Sequence, residues 1–356
     1  MAQLDLTGRI LTVLGPIDAG AAGITLFHEH LLASMTAYFE EPEDAAARKW
    51  AHEPLTLENV RRARNNRLIN RDNAELVDES TAIKEALLFR EAGGKTITEV
   101  SSIGLGRNPL GLRRIARETG LNIIMGSGYY VGLSHPASLA AKTEEEITRE
   151  IVRDITVGVD QTGVRSGVIG EIGCTIPLQE SERKVLRAAA KAQRQTGAPL
   201  MIHPAFDDDL ALEIVKILGN TGADLGHTVI CHVNVYGFTS TTLHALVDSG
   251  CYIGYESFGN IGYPHIYLGR LLQLRSDLEY IDEIQQLIRD GYLDHILIAH
   301  DICFKDFLTT YGGNGYGHIL ENTVPVMRIE GITDEQINTL LVKNPARFLK
   351  FAPSKG

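Results

Sequence analysis

Eight apolar, β-rich runs recur along this chain, each followed by a longer segment of helical periodicity, and this alternation constrains the fold more than any other feature. The runs are ITLFHEH (24–30), KTITEV (95–100), NIIMGSGYY (122–130), GVIGEI (167–172), PLMIHP (199–204), TVICHV (228–233), YIGYES (252–257) and HILIAHD (295–301). Strands joined by crossover helices pair in parallel, and nearly continuous apolar runs suit strands buried on both faces. Eight such units close a (β/α)8 TIM barrel, an α/β fold that one domain spanning residues 1–356 can supply. An open doubly wound sheet is the alternative, weakened because no GxGxxG turn follows the first run. Between runs four and five, SERKVLRAAAKAQRQTG reads as a helix with Ser181 as N-cap and Gly197 as its stop, and IDEIQQLIRDGYLD breaks at Gly291. The stretch 31–78, with Pro42 and Pro54, is too long for a simple connection and reads as loop and short helices over one end of the barrel.

Barrel active sites form at the C-terminal ends of the strands, so the last residues of each run carry the functional information. Run one ends in His28 and His30, run four holds Glu171, run five His203, run six His232 and run eight Asp301. In an extended strand, side chains at i and i+2 share a face, so His28 and His30 aim together while Glu29 points away. Taken singly, each residue has a plainer role: a strand-end histidine is commonly a hydrogen-bonded core residue, Asp301 could cap a helix, and Glu171 could pair with an arginine. Independent plain roles would have to coincide at the same position of five runs. His52, His135, His227, His244, His265, His295 and His318 fall in loops, helices or strand starts and suit structural roles, and His300 faces away from Asp301.

Imidazoles and carboxylates together suit Zn²⁺, with Mn²⁺, Fe²⁺ and Co²⁺ accommodated by the same donors. Six donors exceed one tetrahedral site but match two divalent ions about 3.5–4 Å apart, bridged by a carboxylate and a hydroxide. On that reading His28, His30 and Asp301 hold the more buried ion, His203 and His232 the more exposed one, and Glu171 spans the pair. The bridging hydroxide attacks, while Asp301 takes its proton and returns it to the leaving group.

A net charge of -11 with no Lys/Arg-rich block argues against nucleic acid as a partner. No run approaches the ~18 consecutive apolar residues of a membrane span, and MAQLDLTGRI lacks an apolar leader, so a cytoplasmic protein with a small-molecule substrate is expected. Cys174, Cys231, Cys251 and Cys303 have no CxxC spacing and are expected to be reduced.

TVLGPI, TLFHEH, GVIGEIGC, PLMIHP, VICHV and IAHDI followed by YGGNGYGHIL, in this order and spacing, resemble the phosphotriesterase family of the amidohydrolase superfamily along nearly the whole chain. The resemblance implies a binuclear barrel with His28, His30, Glu171, His203, His232 and Asp301 as ligands, and dimers are common among its members. Members that hydrolyse organophosphates and lactones usually bridge their metals with a carboxylated lysine, whereas Glu171 stands at that place here. GVIGEIGCTIPLQESERKVLRAAAKAQ looks like the branch called phosphotriesterase-related proteins, which points to carboxylic substrates: N-acyl amides, lactones or esters. Around the mouth, Tyr130 reads as a hydrogen-bond donor to the oxyanion or leaving group, or as an aromatic rim residue. Glu99 and Glu256 read as substrate-orienting or cation-binding carboxylates, or as arginine partners. Lys305, Arg107 and Tyr311 lie on loops of the same mouth, where a cation suits an anionic substrate tail. Phosphotriester or phosphodiester hydrolysis by the same metals, and a barrel that binds a ligand without turnover, are the competing functions.

Overall fold

In the computed structural model, residues 5–235, 237–260 and 275–355 are described in full, and 265–267 and 270–272 by their backbone. All eight runs form strands: β1 (Thr25–Glu29), β2 (Thr96–Glu99), β3 (Asn122–Met125), β4 (Ile169–Gly173), β5 (Leu200–His203), β6 (Thr228–Ile230), β7 (Tyr252–Tyr255) and β8 (Ile296–Ile298). Every pairing among them is parallel, in the order β1–β2–β3 and β4–β5–β6–β7–β8. Ile97 lies opposite Leu26 and Ile123, and Ile230 opposite Ile202 and Ile253, so branched aliphatic side chains line up from strand to strand. The crossovers are α1 (Glu79–Glu91), α2 (Pro109–Thr119), α3 (Glu144–Thr156), α4 (Glu180–Thr196), α5 (Asp208–Thr221), α6 (Ser240–Asp248) and α7 (Asp277–Arg289), with three short helices after β8. This is a (β/α)8 barrel.

Two seams join the three-stranded and five-stranded arcs. Between β3 and β4, the Gly167 amide donates to the Met125 carbonyl at 2.9 Å and the Gly170 amide to the Ser127 carbonyl at 2.6 Å. Between β8 and β1, a side chain replaces the ladder: the Glu29 carboxylate accepts the backbone N–H groups of His300 and Ile302 at 2.9 and 3.0 Å. Beneath the mouth, Phe27, Ile124, Met201, Val229 and Leu297 belong to one buried apolar cluster with Phe348 and Leu349 from the last helix, so the barrel interior is packed rather than open.

Helix α4 begins one residue before Ser181, with Gln179 at the N-cap position. The reason is Glu182, whose carboxylate gathers the N–H groups of Gln179, Thr175 and Gly132 at 2.9, 3.0 and 2.8 Å and thereby sets the first turn. Its other end is where the sequence places it: Gly197 adopts φ 72, a left-handed cap that closes the helix.

The 31–78 stretch forms helices Ala45–Ala51 and Val60–Asn65 and a pair of two-residue strands, Ala33–Ser34 and Glu75–Leu76. It is fastened to the loop after β8. Arg67 Nε donates to both oxygens of Asp306 at 3.2 and 3.0 Å, Asn73 Nδ2 donates to the same carboxylate at 3.0 Å, and the Asp306 amide donates back to Asn73 Oδ1 at 2.9 Å. Arg67 and Asp306 are both buried, and the guanidinium lies 4.3 Å from the Phe307 ring centroid. Removing one partner of a buried pair leaves the other charge uncompensated, so Asp306→Ala should lower the unfolding free energy by about 3–5 kcal/mol. Urea denaturation checks this, and a change within experimental error would show that the pair does not hold these loops.

Candidate metal centre

The barrel brings all six strand-end residues into one cluster. Glu171 occupies its middle: Oε2 lies 3.0 Å from His203 Nδ1 and 2.9 Å from His232 Nε2, while Oε1 faces His28 Nε2 at 3.8 Å and His30 Nε2 at 4.0 Å. Asp301 completes the His28 side, with Oδ1 3.2 Å from His30 Nε2 and 3.6 Å from His28 Nε2. Its side chain is 23% exposed, whereas those of the other five are almost completely buried, so Asp301 is the member that meets the open mouth.

Local backbone geometry aims these groups. The pairing of β1 with β2 shifts register between Leu26 and Glu29, a bulge that re-aims side chains at the end of β1. His232 and Asp301 adopt φ 60 and φ 56, in the left-handed region. Such conformations cost about 1–3 kcal/mol each for a non-glycine residue, and they persist only where surrounding contacts hold them. The Ser102 hydroxyl fixes Glu171 from behind by donating to its carbonyl at 2.9 Å.

Positive charge is what the cluster asks for. Among the described residues, no Lys or Arg ion-pairs with Glu99, Glu171, Glu256 or Asp301, although all four approach the histidines. Burial would lower the His28 pKa, but Glu171, Glu256 and Asp301 outweigh it and lift it to about 9. Burial likewise opposes, and neighbouring carboxylates produce, the upward shifts of His30 and His232, while burial prevails at His203 and lowers it. Glu171 moves the other way: burial would raise it, and His28, His203 and His232 hold it well below the usual carboxylate range. Asp301 is lowered against burial by His30, His28 and His232.

A divalent ion supplies the same charge, and the donors fit one. The ligand atoms of His28, His30 and Asp301 lie within 4.8 Å of one another, as do those of His28, Glu171 and His232 and those of His28, Cys231 and Glu256. Both ring nitrogens of His28 and Nδ1 of His232 are buried without a hydrogen-bond partner among the described residues. Buried polar atoms are ordinarily satisfied, and the partnerless His28 Nε2, facing Glu171 and Asp301, fits a ligated cation, while His28 Nδ1 lies toward Glu256.

The supporting residues differ from the sequence expectation. Glu99 and Glu256 are fully buried beside the histidines and pair with no arginine among the described residues, and Glu256 keeps its cation-binding alternative through the His28, Cys231 and Glu256 donor group. Glu256 Oε2 accepts the His232 amide at 2.6 Å, and its Oε1 lies 3.4 Å from His28 Nδ1. Glu99 accepts from the Ser101 hydroxyl, whose oxygen lies 2.9 Å from His30 Nδ1; burial raises the Glu99 pKa to about 7 against the pull of His30 and Ser101. Lys305 is committed to Asp72 at 2.8 Å, and Arg107 is buried against Asp154 at 2.7 Å, so neither is a free cation at the mouth. Tyr311 lies beside Lys305, its ring centroid 5.9 Å from Nζ. Tyr130 is buried with its ring 5.2 Å from that of His203. Phe206 adds a second aromatic face, 4.9 Å from His203 and 5.4 Å from His232; the sequence reading passes over it because nothing in PAF marks an aromatic as turned toward the histidines. Ser101 was legible only as one of two serines following Glu99.

Residues 8–349 match the family model described as the phosphotriesterase family. The chain belongs to that family. It is thus an enzyme of the amidohydrolase superfamily, with a site able to chelate metal. N-acetyltaurine hydrolase from Bos taurus is 38% identical over 349 residues, which cover 98% of this chain and 99% of that protein. A resiniferatoxin-binding protein from Rhodobacter sphaeroides superposes with TM-score 0.92 at 38% identity, covering 96% of this chain and 95% of that one. The phosphotriesterase homology protein from Escherichia coli, complexed with phosphate in its active site, superposes with TM-score 0.77 at 25% identity, covering 92% and 99%. No helix among the described residues of this phosphotriesterase-family chain is long and apolar enough to cross a membrane.

Carboxylates behind ligating histidines typically contribute 10–100-fold to metal affinity. Glu256→Ala should therefore weaken divalent-metal binding by about that factor, read by competition with a chromophoric chelator. Unchanged affinity would reduce Glu256 to a packing role.

Proposed function

We propose that this enzyme hydrolyses an N-acyl amide of modest size, using two divalent ions, Zn²⁺ first among them. The observation that carries the reading is Glu171, which turns one oxygen toward His28 and His30 and the other toward His203 and His232. His28, His30 and Asp301 would hold one ion and His203 and His232 the other, with Glu171 shared. When bound, the ions supply Lewis-acid polarisation of the acyl carbonyl and a lowered pKa for the attacking water. The amide class is supported by the full-length likeness to the Bos taurus N-acetyltaurine hydrolase.

The chain's own groups supply the rest. Asp301, at the open side of the cluster, takes the proton of the water that attacks the carbonyl carbon. It returns that proton to the amide nitrogen as the C–N bond breaks, releasing a carboxylic acid and an amine. Glu256 and the Glu99–Ser101 pair hold the histidine rings in orientation. Tyr130, Tyr38 and Phe206 form an aromatic wall over the His203 side, with rings of Tyr38 and Tyr130 6.1 Å apart; this wall excludes water and seats a short acyl chain, with Tyr130 the candidate donor to the oxyanion.

The test pairs elemental analysis with turnover of N-acyl amino acids and aminosulfonates, lactones, aryl esters and phosphotriesters on one metal-loaded preparation. About two ions per chain, preference for N-acyl amides, and loss of activity on chelation with recovery on adding Zn²⁺ are expected. Asp301→Asn should lower kcat by about 10²–10⁴-fold. Phosphotriester preference would instead favour the reading suggested by the phosphate-bearing E. coli neighbour, and ligand binding without any turnover would leave a binding barrel.

Acyl selectivity offers a separate check on the aromatic wall. A methylene in an apolar pocket discriminates by about 10–200-fold, so Phe206→Ala should raise kcat/KM for hexanoyl relative to acetyl substrates by roughly tenfold or more. An unchanged ratio would place the acyl chain elsewhere.

A further inference from the structure

We infer that Glu29, the residue between the two histidines of TLFHEH, is a positioning residue for Asp301. The inference rests on the metal-dependent reading above. Glu29 is completely buried. Its Oε1 accepts the His300 amide at 2.9 Å and the His300 Nδ1–H at 2.7 Å, and its Oε2 accepts the Ile302 amide at 3.0 Å. The two amides flank Asp301, so one carboxylate grips the backbone on both sides of the residue assigned as the base.

That grip is needed because Asp301 sits at φ 56, a conformation an aspartate leaves readily when nothing holds it. Relaxation there would swing its carboxylate away from His30, now 3.2 Å distant, and from His28. A second tie runs through the His300 ring. The Ile319 amide donates to His300 Nε2 at 3.1 Å, which makes His300 the neutral tautomer with its proton on Nδ1, facing Glu29. Both ends of the loop 302–318 therefore hang from the same carboxylate, one directly and one through the imidazole. The Tyr316 hydroxyl adds a third stitch by donating to the His30 carbonyl at 2.7 Å. Strand β1 thus presents His28 and His30 to the cluster while Glu29, between them, holds Asp301, just past the neighbouring strand β8, against it.

A purely structural Glu29, serving only to close the seam between β8 and β1, predicts lower thermal stability and nothing more. The experiment compares Glu29→Gln, Asp301→Asn and the double variant. Three quantities are read: thermal midpoint, the rate at which a chromophoric chelator strips Zn²⁺ from loaded protein, and kcat and KM at saturating Zn²⁺. Glu29→Gln should speed metal release about tenfold or more and lower kcat at least tenfold with KM within about threefold, a loss confined to the transition state. In the Asp301→Asn background it should add less than about threefold to either, because its effect passes through Asp301. A lowered midpoint with wild-type release and kcat, or a fully additive loss in the double variant, would overturn the inference. If Glu29→Gln does not fold, His300→Gln decides by the same readouts, with a smaller change in the same direction expected. A wild-type protein that binds no Zn²⁺ defeats the metal reading and the inference together. One that binds Zn²⁺ but cleaves no N-acyl amide defeats only the substrate, since metal release still decides the role of Glu29.

Discussion

Setting four carboxylates, three of them buried and Asp301 partly exposed, against four imidazoles, with no lysine or arginine paired to any of those carboxylates among the described residues, is the constraint around which the mouth of this barrel is organised. Desolvated negative charge is tolerated only with compensation close at hand. The histidines provide that compensation as proton carriers or as ligands of a cation, and the raised His28 and depressed Glu171 are two sides of the same balance. Cationic side chains nearby are kept out of it. Arg107 is paired with Asp154, Lys305 with Asp72 and Arg67 with Asp306, so none of these three cations offsets the negative charge of the cluster, which suits a metal cation.

The barrel was legible because its signal is repeated eight times: each apolar run became a strand, and each intervening periodic segment a helix. The six central residues were legible because parallel strands place their C-terminal residues at one rim, a rule that needs only chain position. What the sequence could not display were the partners of side chains that turn behind that rim. Glu99 and Glu256 look from sequence like mouth residues, yet both are fully buried beside the histidines. Glu29 reads simply as pointing away, and only the fold shows that away means toward His300 and Ile302. Ser181 reads as a cap from its residue type alone, but Glu182 accepts the amide of Gln179 three residues back together with those of Thr175 and Gly132, which moves the cap to Gln179.

Stability and chemistry are set against each other at the strand ends. His232 and Asp301 hold unfavourable backbone conformations, and buried carboxylates add desolvation. These local penalties are tolerated because the barrel beneath is densely apolar and because rigid hydrogen-bonded loops frame the site. Glu85 illustrates the framing: its buried carboxylate accepts the amides and hydroxyls of both Thr309 and Thr310, pinning the loop after β8 to α1.

The clasp between Arg67, Asn73 and Asp306 has a consequence for how the two loops it joins can be exchanged. Two loops distant in the chain share one hydrogen-bonded joint, so they form a single structural unit rather than two freely exchangeable parts. A replacement of residues 302–318 that omits Asp306 would leave Arg67 and Asn73 without the carboxylate that joins them, unless residues 64–73 were exchanged with it.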